Sequence, residues 1–186
     1  MGIWQAATVF FFSMVVSHAA EPTKPFAWNP PKVAQSMFTP DLGMLNSERE
    51  EYATNLAALA ANQIVAAKAS SQSLAEARRL LGLALHLSPR NKRAIVVNFQ
   101  LTKGLLPEVT ASAYSPQVFA RLLLSRGQLL EKQGGDENNR LAQMFVKLAA
   151  EMDSTNEDAV YASEVQRLDH GTLDWSAITD APTKQP

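Results

Sequence analysis

Few residues in this chain have the type or spacing to do chemistry. Of its three histidines, His18 falls in an N-terminal apolar run, which leaves His86 and His170. Neither lies at a metal-ligand or catalytic spacing. Asp169 directly precedes His170 and is placed to hold its ring as the carboxylate of an acid–base pair does. His86 falls near the end of a predicted helix, where a partly charged imidazole suits the negative pole of the dipole. The paired carboxylates Glu50/Glu51 and Glu157/Asp158 fall at predicted helix starts, where negative charge is favourable without any catalytic purpose. The chain has no cysteine, which excludes disulfides, iron–sulfur clusters, cysteine zinc sites, thiol nucleophiles and a lipidated cysteine. No G-x-S-x-G, H-E-x-x-H, Walker A or dinucleotide glycine pattern occurs. These residues predict no catalytic group, no cofactor and no metal site, and hence a protein that is not an enzyme.

Charge is distributed unevenly although it sums to −1. Between residues 52 and 126 nine cations stand against two acids, whereas between 131 and 180 four cations stand against eleven. Such a separation steers a charged partner, or joins one copy's basic face to another's acidic end. The cluster Arg90, Lys92 and Arg93 does not read as a nucleic-acid site, because the chain's pI is near 6.3 and no aromatic residues interleave with it.

Stepping outward to the elements, Ala6 to Val16 is an apolar run containing Phe10, Phe11 and Phe12, followed by Ser17, His18, Ala19 and Ala20. That is the build of a secretory signal peptide cut after Ala19. Residues 1–20 are expected to be this signal or an uncleaved anchor, and the protein to be exported, periplasmic or extracellular. Membrane association is expected through these residues alone. Residues 21–46 carry Pro22, Pro25, Pro30, Pro31 and Pro40, which remove backbone donors and favour extended conformations. This segment reads as a linker: a mostly disordered spacer, or one that lays Phe26, Trp28 and Phe38 along a helical body.

From Ser47 the helix signals are local and clear. Ser47-x-x-Glu50, Ser73-x-x-Glu76 and Ser154-x-x-Glu157 spell capping boxes, Asn91 and Asp136 are further N-cap candidates, and Ser115 precedes Pro116. Helices are predicted to start near 47, 73, 91, 116, 137 and 156. They end at Ser70-Ser71, Pro89, Gly104, Gly134-Gly135 and Gly171. Apolar residues follow helical spacing, as in Tyr52, Leu56, Leu59 and Ile64, in Leu74, Leu81 and Leu85, in Phe119, Leu122, Leu123, Leu129 and Leu130, and in Leu141, Phe145, Leu148 and Met152.

Ala77, Leu81, Ala84 and Pro89 recur 65 residues later as Ala142, Val146, Ala149 and Ser154, and Asn91-x-x-Ala94 recurs as Asn156-x-x-Ala159. The spacing A-x3-L-x2-A-x4-P resembles the second half of a tetratricopeptide repeat, in which small alanines let two helices approach and proline ends the second. The resemblance covers about residues 58–94 and 123–159 and is strongest in second helices. It implies an all-α fold of antiparallel helix hairpins stacked in a TPR-like right-handed array of about six helices over 47–170. A plain helical bundle is the alternative. Two helices separate the matched second helices, so either Pro107 to Tyr114 forms a short extra helix or one connection crosses over. In the tail, 171–186, Leu173, Trp175 and Ile178 are expected to lay an apolar edge on the last helix.

The resemblance further implies a protein–protein interaction adaptor or scaffold in the cell envelope, with a groove lined by first helices. The family's ligand-facing positions fall here on Asn62, Arg93, Gln100 and Lys103, and an acidic peptide terminus is the ligand such a groove would take. The alternative is a self-associating structural protein, a homo-oligomer joined through its opposite charge fields.

Overall fold

Local capping decides where each helix begins. In the computed structural model, which describes residues 26–180, the described residues form seven helices and no strand. Helix α1 spans Asn46–Ala66, α2 Ser71–Leu87, α3 Lys92–Thr102, α4 Pro116–Gln133, α5 Asp136–Met152, α6 Glu157–His170 and the short α7 Ser176–Thr179. Asn91, Ser115 and Asn156 cap as their types require, each accepting from the amide three residues on. The three expected capping boxes do not form. Ser70, three residues before Ser73, caps α2 instead, and Asn156 rather than Ser154 caps α6. At α1 the Glu48 carboxylate accepts from the Leu45 amide at 2.9 Å, which moves the start ahead of Ser47. Asp136 is the first residue of α5, not its cap.

Packing follows from small residues. Ala53, Ala57, Ala60 and Ala61 on α1 are fully buried and let α2 lie close, while on α4 a Cβ at Gly127 would come within 2.9 Å of Val146 Cγ2 on α5. Each hairpin is followed by a third helix, α3 against α1 and α2, and α6 against α5. The 65-residue recurrence therefore corresponds to a three-helix unit: α2 and α5 are both 17 residues long and start 65 positions apart, as do α3 and α6. Leu129 departs from its expected inner face and is 44% exposed.

Residues 107–114 form no helix, so the connection crosses over. It runs back along α1: both amide groups of the Asn62 side chain bond the Thr110 backbone at 3.0 Å, and the Tyr114 hydroxyl donates to the Glu51 carboxylate. Helix α4 then passes the start of α1 in the opposite sense, with Tyr52 donating to the Leu122 carbonyl and Arg126 pairing with Glu48 at 2.7 Å. The Tyr52 ring joins the units, stacked on Phe145 with centroids 5.2 Å apart and tilted on Phe119. Burial pushes the Tyr52 hydroxyl up to about 12.

Residues 26–45 form no helix or strand and turn at 40–41, but they are no free spacer. Phe38, Leu42 and Met44 enter the core, Trp28 Nε1 donates to Asn98 Oδ1 at 3.0 Å, and the Thr39 and Gly43 amides donate to Glu137 and Asn138 on α5. The buried rings and spent amides offset the cost of ordering the chain. At the other end Leu173 and Trp175 pack partly against the core, yet Ile178 and α7 lie on α2 rather than on the last long helix. A Cβ at Gly82 would meet the Ile178 carbonyl at 2.8 Å, which is why α2 has glycine there. No described helix is long and apolar enough to cross a membrane. The expected signal segment, 1–20, lies outside the described residues.

Candidate partner-binding groove

Asn91 anchors the groove. Fully buried, it accepts from the Ala94 amide and donates to Glu50 Oε1 and Thr54 Oγ1, both at 2.8 Å, so the start of α3 is tied to α1. The Asn62–Thr110 pair pins residues 107–110 farther along α1. Between these two ties lies a groove with Val97 and Pro107 at its base, Arg93, Val96 and Gln100 along α3, and Glu50, Thr54 and Glu108 opposite.

Of the four residues expected to face a ligand, Arg93 and Gln100 stand together in this groove. Asn62 does not join them, because its donor and acceptor are both spent on Thr110. Lys103 lies past the end of α3 with its ammonium 5.5 Å from the Phe99 ring centroid. Lys92 and Arg93 bring positive charge and Glu50 and Glu108 negative, so the lining is mixed; Glu50 is also held by Ser88 and Asn91.

Sequence reasoning missed the apolar side of this region. Ile95, Val96, Phe99, Leu105, Leu106 and Val109 are all exposed. The signal was present: a helix of 11 residues that carries Ile95, Val96, Val97 and Phe99 is apolar on more than one face. The second unit repeats the site with altered charge. Arg121 and Ser125 on α4 face Asn156, Glu157 and Asp158 at the start of α6, and the 65-residue offset sets Glu157 where Lys92 is and Asp158 where Arg93 is.

The two histidines stand in different settings. Asp169 and His170 are both exposed at the end of α6, and no hydrogen bond joins their side chains. His86, expected as a partly charged ring at a helix end, is 5% exposed, and burial lowers its pKa. Its Nδ1 accepts from the Met37 amide at 3.0 Å, which leaves the proton on Nε2, 3.2 Å from the Ile178 carbonyl. It is a neutral tie between the two ends of the described chain.

No family model, curated protein or solved structure matches this chain.

Proposed function

We propose that this protein is a non-enzymatic, exported adaptor or scaffold of TPR-like build that holds a protein or peptide partner in the cell envelope. The observation that carries the reading is the placement of Arg93 and Gln100 two turns apart on one face of α3, along a groove with Val97 and Pro107 at its base, where Asn91 locks α3 to α1. Such a combination of a fixed trough, apolar floor and a few directed polar groups suits an extended or helical peptide. Arg93 and Lys92 favour an acidic ligand, with Lys103 just past the end of the same helix. The apolar run Ala6 to Val16 supports export.

Fluorescence anisotropy with labelled peptides ending in acidic residues tests the groove. Binding is expected to fall roughly tenfold or more in the Arg93→Glu/Lys103→Glu variant. A peptide bound equally by that variant, or no acidic peptide bound at all, refutes the groove. Intact-mass measurement of the mature protein tests export: loss of residues 1–19 is expected, and a retained segment with no membrane fraction would overturn it.

A further inference from the structure

The two three-helix units present outer faces that match each other. On α3, Ile95, Val96 and Phe99 are 46%, 43% and 60% exposed; on α6, Val160, Tyr161 and Leu168 are 37%, 74% and 73% exposed. Val160 and Tyr161 are the 65-residue counterparts of Ile95 and Val96. The charges at the same ends are opposed, with Lys92 and Arg93 opening α3 and Glu157 and Asp158 opening α6. No ion pair engages any of these four among the described residues.

We propose that α3 of one copy docks on α6 of a second copy, the two helices parallel. In that sense Lys92 and Arg93 meet Glu157 and Asp158, the apolar residues face one another, and Lys103 falls beside Asp169. The spans are compatible, since α3 runs about 17 Å and α6 about 21 Å at a rise of roughly 1.5 Å per residue. The antiparallel sense would set Lys92 and Arg93 against the mixed end that holds Arg167 and Asp169, in place of the acidic pair, so the parallel sense is the better charge match. The occupant follows from charge: cations at the start of α3 lie on the positive pole of their own helix, an unfavourable place that an acidic counterpart relieves. The α6 of this same chain supplies that counterpart together with an apolar surface. Because the two faces are different, each contact is head-to-tail and leaves one face of each kind free, so copies add into a ring or a filament. This contact shares Lys92, Arg93 and Val96 with the peptide groove and goes beyond the adaptor reading, because its occupant is α6 of a second copy, which would compete with a peptide there.

Light scattering of the full chain tests it. At about 50 mM salt, assemblies larger than one chain are expected, dissociating as salt rises toward about 500 mM. Lys92→Glu/Arg93→Glu and Glu157→Lys/Asp158→Lys should each weaken self-association roughly tenfold or more, and mixing the two variants should restore a complex. Tyr161→Ser, which leaves every charge in place, should weaken it as well. A single-chain mass at all salt concentrations overturns the proposal. So does association that both charge variants retain, that grows with salt, or that fails to return on mixing. Glu157→Lys/Asp158→Lys leaves the α1–α3 groove untouched, so loss of assembly with peptide binding intact separates this contact from the adaptor reading.

Discussion

The Met37 amide donates to Nδ1 of His86 at 3.0 Å, so the N-terminal strap is fastened to α2 by an acceptor that exists only while the ring is neutral. Burial already lowers the pKa of this ring below its ordinary 6.5. With the folded value below the unfolded one, the unfolded chain takes up the proton first as pH falls. Stability contributed by His86 is therefore complete above about pH 6.5 and declines from there down to the folded value. Urea midpoints at pH 8 and pH 5 should differ for the native chain, and His86→Leu, itself costing about 2 kcal/mol, should narrow that difference. An equal pH difference in the variant would show that other groups carry it.

Tyr52 fills the junction of the two units with its ring more than with its hydroxyl. Tyr52→Phe should cost under about 1 kcal/mol, since only a 3.3 Å bond to the Leu122 carbonyl is lost. Tyr52→Ala removes the stack on Phe145 and should cost about 4 kcal/mol. Chemical denaturation of both variants checks the ratio; similar losses would place the energy in the hydrogen bond.

Asn62 is expected to act locally. Asn62→Ala frees the Thr110 amide and carbonyl at a global cost of about 1 kcal/mol, and hydrogen exchange at Thr110 should accelerate while the middle of α1 stays protected. Unchanged exchange at that amide would mean the crossing segment is held by other contacts.

Gly82→Ala drives a methyl group into the Ile178 carbonyl, a backbone atom that cannot swing aside. A loss of about 2 kcal/mol is expected, together with faster proteolytic cutting at residues 172–176. A fully stable, uncut variant would show that α7 can shift without penalty.

The helices were legible because their signals lie within a turn of the residues they govern. Ser115-Pro116, Asn91 and Gly134-Gly135 act on their own neighbourhoods, and the starts fall within two residues of expectation. The serine box at 73 misled because Ser70, which has a serine and not a glutamate three residues on, caps α2 all the same, and only the surroundings choose between the two serines. The strap was legible only as an alternative, through its rings Phe26, Trp28 and Phe38. Phe38, Leu42 and Met44 follow no helical or strand period, and their burial depends on surfaces of α2 and α5 remote in sequence. The repeat register sets Arg93 and Gln100 on one lining, whereas the pairing of Asn62 with Thr110, 48 residues away, leaves no local signal.

Residues 29–32 and 179–180 come together on α2: Arg78 bonds the Asn29 carbonyl, the Thr179 carbonyl and Asp180, and the Lys32 amide donates to Thr179 at 2.8 Å. The two ends of the described backbone thus meet on α2. A circular permutant joined where they meet and opened between 105 and 114 should keep every long helix whole. Split there without joining, the two pieces would meet as halves of a reporter whose reassembly registers what happens at the groove.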